Sequence, residues 1–397
     1  MRIAVITTSF PVAAQPFITG HITGLLACGC QVDVYARNDT RHELHQDAYE
    51  RFGLQDCVVY FGKCRQRFRM VRSALRGLAR HPSVLPYLLK WRRCAKASAG
   101  QVVEALSLLG SLRRDDYDVV HVHYCVNAVF GGVMRKAGCA GHTIVCSHGS
   151  VFFATAGDKA VKAFLATFDR LLAVSSPLSR LALARGVPAD RLAVFHVGID
   201  LAAFPFRGVR DSCDVYRLLS VGRLVPVKGH ALAIRAVAAL RSRGCSVNYT
   251  ILGGGPELDR LIQLVAELDV ADEVQFCELV PHEQVVSWYQ QADIYLHSGV
   301  TLPDGSFEGF GLAVAEAMAF GLPVVAFDCG GVTDLVRHDE TGLLARPSDV
   351  EDFVCQIRRL MDSPPLADAI ARRARLLVET EHDQQKQMEV LLRLYGG

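Results

Sequence analysis

The feature that most constrains this chain is a repeated alternation of short apolar segments with helical patterns. In the first half, β-branched runs at 2–8 and 31–36 flank a helical pattern at about 15–28. Further runs of the same kind follow at 118–124, 143–147, 170–175 and 191–197. Strands that alternate with helices pair in parallel through right-handed crossovers. The first half therefore predicts an α/β domain.

The same alternation starts again after residue 200. The turn-rich segment 204–214 predicts a linker between the halves. Strand-like runs then recur at 216–222, 247–253, 272–278, 292–298 and 322–327. A helix is expected at about 311–320, and amphipathic helices at about 349–395. The sequence therefore predicts an α/β fold with two doubly wound, Rossmann-like domains.

Composition excludes several classes of protein. A chain of 397 residues that is 50% hydrophobic can bury two sizeable cores. The net charge of +2 argues against a dedicated nucleic-acid-binding protein, so no nucleic-acid partner is expected. The 13 cysteines, without a C-x-x-C motif, are typical of reduced thiols in the cytosol. No uncharged apolar run is long enough for a transmembrane helix, and the first residues predict a core strand rather than a signal peptide.

Charge is unevenly distributed. Residues 61–114, which we call the basic segment, contain 13 Lys and Arg and a single acid, Glu104. Apolar residues interleave with these cations: Phe68, Val71, Leu75, Leu78, Leu88, Leu89 and Trp91. This pattern favours an amphipathic surface that contacts an anionic membrane or an anionic acceptor. The alternative is a solvated helical face whose aliphatic stems cover the domain.

Three glycine-rich loops follow strands of the second series. The loop VGRLVPVKGH (221–230) carries Arg223 and Lys228, a planar fork and a point charge that together suit a diphosphate. The loop LGGGPEL (252–258) carries Gly254, and a third loop leads into the helix that begins near Gly311. Helix N-termini favour anions, and loops at the ends of parallel strands converge at one edge of the sheet. The alternative is that Arg223 and Lys228 are surface cations without a ligand and that the loops are ordinary turns.

Two carboxylates lie eight residues apart in the third loop and its helix. Glu308 lies in the loop, where it can face a ligand. Glu316 lies within LAVAEAMAF, where an isolated buried carboxylate is costly unless a ligand hydroxyl or a cation meets it. The alternative is that one carboxylate caps the helix and the other pairs internally.

Together these motifs resemble the retaining glycosyltransferases of family GT4. The resemblance is carried by Arg223, Lys228, GGGPE (253–257) and the pair Glu308-x7-Glu316 within EGFGLAVAEAMAFGLPVVA. It is closest to exopolysaccharide (colanic-acid-type) members, through LPDGSFEGFG and the segment from AVSS to FHVGID (173–200). It covers nearly the whole chain and is strongest over 170–345.

The resemblance implies a GT-B fold, in which two Rossmann-like domains face an interdomain cleft. The expected acceptor domain spans 1–203, the donor domain spans 204–377, and a last helix at about 378–397 packs back on the first domain. The implied reaction transfers a sugar from a nucleotide-diphosphate sugar to a saccharide or lipid-linked acceptor, in surface polysaccharide or glycolipid synthesis. No cofactor or metal is expected, since no D-x-D motif follows a strand. The implied location is the cytoplasm, including the inner face of the membrane.

The resemblance also assigns roles to residues of the second half. Arg223 and Lys228 would bind the diphosphate and stabilise it as leaving group. Glu308 would contact the donor sugar near the reacting centre, and Glu316 would hold the ribose hydroxyls. The remaining expected donor contacts come from Gly254, Phe310, Gly311 and Leu312, the last three through backbone N–H groups.

The first half contributes His148, in CSHGS (146–150), which directly follows a predicted strand. The family's matching histidine contacts the donor sugar and helps align the reaction; the alternative is a histidine that caps a loop. His121 and His123 fit a core role better. Two departures concern acceptor contacts: Ser150 and its successors replace the Asp often found after the HG, and Gln15 replaces a Glu of the relatives.

The implied mechanism retains anomeric configuration, with the acceptor attacking on the face from which the diphosphate leaves. No carboxylate is an obvious covalent nucleophile, although Glu308 is still a candidate for that role. A nicotinamide-dependent oxidoreductase is disfavoured, because the first strand–helix turn, TTSFPVAAQ, lacks G-x-G-x-x-G. The other alternative is a non-catalytic subunit that binds nucleotide sugars, which a transfer assay distinguishes.

Overall fold

A computed structural model describes residues 1–12, 15–40, 52–62, 67–209, 214–278, 280 and 282–396. These residues form two compact units. Unit 1 consists of Met1–Val174, Ser179–Phe195 and Met388–Gly397, and unit 2 consists of Ser175–Leu178 and His196–Gln387. The division at residues 203 and 204 made from the sequence stays a prediction.

Unit 1 contains a sheet of seven strands in the order β3-β2-β1-β4-β5-β6-β7, and all neighbouring strands are parallel. The strands are β1 Arg2–Phe10, β2 Gln31–Asp39, β3 Val58–Tyr60, β4 Tyr117–His123, β5 Ala140–Ser147, β6 Arg170–Ala173 and β7 Leu192–Val194. The α-helices described in the first half of the chain are α1 Pro16–Ala27, α2 Arg67–Arg80, α3 Val84–Ala95, α4 Ala99–Gly110, α5 Ala128–Lys136, α6 Val151–Thr155, α7 Asp158–Leu165 and α8 Ser176–Ala184.

Unit 2 contains a parallel sheet of six strands in the order β10-β9-β8-β11-β12-β13. The strands are β8 Tyr216–Val221, β9 Val247–Leu252, β10 Val274–Cys277, β11 Ile294–His297, β12 Val324–Phe327 and β13 Leu343–Ala345. The helices of this part of the chain are α9 His230–Ser242, α10 Leu258–Glu267, α11 His282–Gln291, α12 Leu312–Phe320, α13 Val350–Asp362, α14 Pro364–Glu381 and α15 Gln384–Gly396.

Both sheets change direction of strand order at one point, between β1 and β4 in unit 1 and between β8 and β11 in unit 2. Open parallel sheets bind ligands beyond the carboxyl ends of the strands at such a point. A functional site is therefore expected at the loops that follow these strands.

The central strands explain why the sequence folds this way. Residues Ile3 to Ile6 of β1 and Val324 to Phe327 of β12 are completely buried, as expected for strands covered by helices on both faces. The predicted strands are present, and the structure adds β3 and β13. Each of these has three residues, too few to give a recognisable alternation of apolar and polar residues.

The basic segment contains α2, α3 and α4 with short connections between them, and its residues 63–66 lie outside the described residues. Helices α2 and α4 approach each other closely at two glycines. A Cβ on Gly77 would collide with the carbonyl of Leu106, and a Cβ on Gly110 would collide with the carbonyl of Ser73. No helix within the described ranges has both the length and the hydrophobicity to span a bilayer.

Candidate active site

The loop after β8 in unit 2 is fastened to the loop after β11. Gly229 has a φ of +62°, and a Cβ there would collide with the carbonyl of Ser298, so only glycine fits without strain. The Ser298 hydroxyl donates to the Lys228 carbonyl at 3.0 Å, and the Val300 N–H donates to the Val227 carbonyl at 3.0 Å. These contacts fix Lys228 beside the third glycine-rich loop.

Lys228 and Glu308 form an ion pair in this place. The Lys228 Nζ lies 2.6 Å from Glu308 Oε2, and the two side chains are only 16% and 19% exposed. Burial raises the pKa of Glu308. The positive charge of Lys228, together with the nearby His297 and Arg223, outweighs this effect of burial and holds the pKa below its ordinary value. The site therefore contains an ionised carboxylate and an ammonium group in contact.

Arg223 is exposed on the same loop as Lys228. Across the described residues, no carboxylate lies within ion-pair distance of its guanidinium. The Leu224 N–H next to it donates to the Gly254 carbonyl at 2.9 Å, which joins this loop to the GGGPE loop. A side chain at Gly254 would meet no atom within 4 Å, so the space beside its Cα is open. The first two glycine-rich loops are thus neighbours.

Helix α12 begins directly after the third loop. Gly311 precedes it with a φ of +95°, and the helix starts at Leu312. The first N–H groups of a helix have no partner within it, so they are available to an anion. The Gly331 N–H donates to the Glu308 carbonyl at 2.8 Å and holds the loop in place. Phe310 is buried, with its ring 5.9 Å from that of His196 and 5.5 Å from that of His382.

Glu316 is buried on α12, as the apolar sequence around it suggests. Its Oε2 accepts a hydrogen bond of 2.9 Å from the hydroxyl of Tyr289 on α11. Burial, and then the charge of Glu316, raise the pKa of Tyr289 well above its ordinary value, so Tyr289 keeps the proton that it donates. Glu316 therefore has an internal partner, one of the alternatives that the sequence left open. Its contact with ribose stays a prediction.

In unit 1, His148 directly follows β5, at the carboxyl end of the sheet. It is half-buried, and the ring of Phe17 lies 4.6 Å from its own. Its Nε2 lies 2.8 Å from His123 Nδ1. The predicted site residue His148 is therefore hydrogen-bonded to His123, which the sequence assigned to the core.

His123 belongs to a longer series of hydrogen bonds. Its Nε2 lies 3.0 Å from Nδ1 of His21, whose Nε2 lies 3.0 Å from the hydroxyl of Tyr395. That hydroxyl also lies 2.8 Å from Nδ1 of His121. We call His148, His123, His21, Tyr395 and His121 the histidine array. All five lie in unit 1.

The sequence did not identify His21, Tyr289, Tyr395 or the link from His123 to His148. One signal was present: His121 and His123 are two residues apart on a strand, so their side chains share a face. Both are buried as expected of core residues, at 1% and 2% exposure. Tyr395 lies 247 positions beyond His148, and no local pattern connects them.

Two family matches together cover most of the chain. The family described as "Glycosyltransferase Family 4" matches residues 17–203, and the family described as "Glycosyl transferases group 1" matches residues 212–377. A D-inositol 3-phosphate glycosyltransferase of Thermomonospora curvata is 30% identical over 299 residues, which cover 66% of this chain and 68% of that one. The chain belongs to glycosyltransferase family 4. The enzyme class expected from the motifs is confirmed.

This family 4 glycosyltransferase resembles further proteins over nearly its full length. The amylovoran biosynthesis glycosyltransferase AmsK of Erwinia amylovora is 27% identical over 396 residues, covering 97% of this chain and 96% of AmsK. HepE of Anabaena, crystallised with UDP and glucose, has a TM-score of 0.72 at 17% identity and covers 99% of both chains. The predicted α/β fold of GT-B type, with two Rossmann-like domains, is confirmed.

Proposed function

We propose that this glycosyltransferase moves a sugar from a nucleotide-diphosphate sugar to a saccharide or lipid-linked acceptor, with retention of configuration, in exopolysaccharide synthesis. The observation that carries the proposal is the 2.6 Å contact of Lys228 with Glu308, which lies four residues before the start of α12. The name of AmsK supports the pathway class, and the UDP bound by HepE supports a nucleotide donor.

The leaving diphosphate needs positive charge where its own charge develops. Arg223 and Lys228 supply a fork and a point charge, and the N–H groups of Gly311 and Leu312 add hydrogen-bond donors. When Lys228 turns to the diphosphate, Glu308 loses its partner and becomes free to contact the donor sugar. These cations do what a metal does in other transferases, so the proposed reaction has no metal cofactor.

The proposed transfer is balanced without a strong protein base. The acceptor hydroxyl oxygen forms a bond to the anomeric carbon as the bond from that carbon to the diphosphate oxygen breaks. Both events occur on one face of the sugar, which retains its configuration. The proton of the acceptor hydroxyl passes to the departing diphosphate oxygen. The protein holds the reactants in place and stabilises the charge that accumulates on the diphosphate.

A thermal-shift screen with UDP, GDP, ADP and their sugar conjugates tests the donor class. A ligand at about 100 times its Kd adds about 2.7 kcal/mol of stability. We expect one base to raise the melting temperature, and its sugar conjugate to be consumed slowly even without acceptor. A chain that binds the nucleotide sugar but neither hydrolyses nor transfers it would be the non-catalytic subunit instead.

We also propose that the basic segment docks this enzyme on an anionic membrane. On α2, Phe68, Val71 and Leu75 are exposed at 92%, 48% and 63%, and their spacing places them on one face. An adjacent face carries Arg69, Arg72 and Arg76, all exposed. Arg92, Arg93 and Lys96 line a hollow at the end of α3 together with Leu89 and Ala97. Apolar side chains beside cations suit the headgroup region of a bilayer.

Sedimentation with vesicles tests the docking. We expect binding to vesicles that contain phosphatidylglycerol and not to pure phosphatidylcholine. Changing Arg69, Arg72 and Arg76 to Gln should weaken binding at least tenfold, since each charge contributes about 1 kcal/mol. A triple Arg→Gln variant at the exposed Arg260, Arg358 and Arg372 of unit 2 is the matched control. Equal effects of the two triple variants would contradict a dedicated surface.

A further inference from the structure

The histidine array contains five side chains and four hydrogen bonds. Its order is His148, His123, His21, Tyr395, His121, with separations of 2.8, 3.0, 3.0 and 2.8 Å. Each hydrogen bond needs one proton between its two heavy atoms. The number of protons in the array therefore decides where each of them lies.

Every member of the array is neutral at pH 7. Burial lowers the pKa of His21 and of His148 to about 3, and it lowers the pKa of His121 and His123 well below the ordinary value. Burial also raises the pKa of Tyr395, so its hydroxyl keeps its proton. Five neutral groups carry five protons, one each. Four are used in the hydrogen bonds, and the fifth lies at one end of the array, because a Tyr395 hydroxyl proton outside these bonds would have no acceptor among the described residues.

The two ends differ. At one end, Nε2 of His121 is buried and has no hydrogen-bond partner among the described residues. An N–H there would be an unsatisfied buried donor, which is costly and is rarer in proteins than an unpaired acceptor. At the other end, His148 is half-buried and directly follows β5, and its Nδ1 is not among the buried side-chain atoms of the described residues that lack a partner. The fifth proton therefore belongs on Nδ1 of His148.

We propose that His123, His21 and Tyr395 are positioning residues that hold His148 as the Nδ1–H tautomer. His121 donates to Tyr395, Tyr395 donates to His21, and each following ring donates to the next, so that Nε2 of His148 accepts. Nδ1 of His148 then presents a hydrogen-bond donor that suits a sugar hydroxyl, and it is no base. The link to turnover rests on the proposed function.

The proposal gives the last helix a part in the site. Tyr395 lies on α15, and its hydroxyl is the only oxygen in the array. It accepts a hydrogen bond from His121 and donates one to His21. An apolar side chain at position 395 would do neither. The C-terminal helix thus contributes to the state of a residue that lies after β5.

Nitrogen-15 NMR of the full chain, labelled at histidine, tests the tautomer without any substrate. The signals of His148 are identified by their loss in His148→Asn. We expect a protonated Nδ1 and a bare Nε2 at His148 in the wild type. In His123→Phe we expect a shift toward Nε2–H, the tautomer that an isolated neutral imidazole favours. A wild-type His148 protonated at Nε2, or a mixture of tautomers, would overturn the proposal.

Kinetics with a matched control test the positioning role. Tyr395→Phe and Tyr35→Phe each remove a buried phenol hydroxyl from unit 1. Among the described residues, the Tyr35 hydroxyl bonds only the Tyr117 hydroxyl and the Arg113 N–H. We expect Tyr395→Phe to lower kcat about tenfold with an unchanged KM for the donor. Tyr35→Phe should keep kcat within twofold at a similar loss of melting temperature. A kcat that follows the melting temperature in both variants would indicate a merely structural role.

Two further results separate the alternatives. Nitrogens of His21, His121 and His123 all lie within 4.8 Å of one another, as in a metal site. One equivalent of zinc retained by the wild type and lost in His21→Gln would replace the hydrogen bonds and overturn the proposal. If the wild type transfers no sugar, the proposed function fails, whereas the NMR experiment still decides the state of the array.

Discussion

The two units of this enzyme build their polar sites in opposite ways. Unit 2 uses charged side chains on glycine-rich loops. Its Lys228 and Glu308 form an ion pair, and each of these side chains is less than one fifth exposed. Unit 1 uses neutral imidazoles on α1, on β4 and directly after β5, joined to one another and to a tyrosine. Charge is therefore placed where a charged leaving group is expected. Hydrogen-bond direction is controlled where a neutral sugar is expected.

The largest effect should come from the charged site. Glu308→Gln keeps the shape of the side chain but removes its charge, and we expect kcat to fall about 10³-fold, the upper range for the loss of one electrostatic group. Glu273→Gln is the control, because Glu273 is a similarly exposed carboxylate paired with Arg241 in unit 2. Turnover by Glu308→Gln within tenfold of the wild type would remove Glu308 from the reaction.

The same ion pair should control the stability of unit 2. Lys228→Met leaves the Glu308 carboxylate without its partner, and we expect a loss of about 2–3 kcal/mol in urea denaturation, somewhat below the range for fully buried pairs. The double variant Lys228→Met with Glu308→Gln should recover most of that loss. Additive losses in the double variant would show that the two groups do not interact.

A smaller effect is expected at Glu316. Tyr289→Phe removes the hydroxyl that donates to Glu316, so the carboxylate is less well oriented for a ligand. We expect donor Kd to rise about tenfold, measured by calorimetry, with kcat changed less than threefold. A change in kcat alone would mean that Glu316 acts on the reacting centre instead of holding the nucleoside.

The pH dependence of stability separates the two sites. The pKa of His21 is about 3 in the folded chain, against about 6.5 when unfolded. The unfolded chain therefore binds more protons between pH 6.5 and 3, and stability falls as pH falls through that window. For Glu308 the folded pKa is lowered, so its contribution is complete above pH 4.5 and is lost only below it.

His21→Gln should therefore flatten the fall in unfolding free energy between pH 6.5 and 5, by at most about 1.4 kcal/mol per pH unit. Glu308→Gln should leave the slope in that window unchanged. Denaturant titrations at pH 6.5, 5.75 and 5 measure both slopes. Identical slopes for His21→Gln and the wild type would mean that His21 is protonated in the folded chain.

Much of unit 2 was predictable because its chemistry is local. Arg223, Lys228, Glu308 and Glu316 lie just after strands or on the helix that follows, and parallel strands bring those positions to one edge. The close approach of Gly229 to Ser298 was not predictable, since it depends on how two loops pack. The Tyr289 partner of Glu316 was missed for the same reason.

The histidine array of unit 1 could not be predicted from the sequence. His21 on α1, His123 on β4 and Tyr395 on α15 meet only through tertiary packing, and a histidine on an apolar strand usually belongs to a core. The prediction for His148 was possible because it follows a strand directly. The strands β3 and β13 were missed because three residues contain too little periodicity.

Calorimetry of nucleotide binding tests whether Lys228 holds the diphosphate of the donor. The wild type, Lys228→Met and the control Lys386→Met, which changes another lysine of unit 2, are titrated with UDP, GDP and ADP. We predict that one nucleotide binds the wild type and the control equally and binds Lys228→Met at least tenfold more weakly. Equal affinity of all three proteins for that nucleotide would show that Lys228 does not hold the diphosphate.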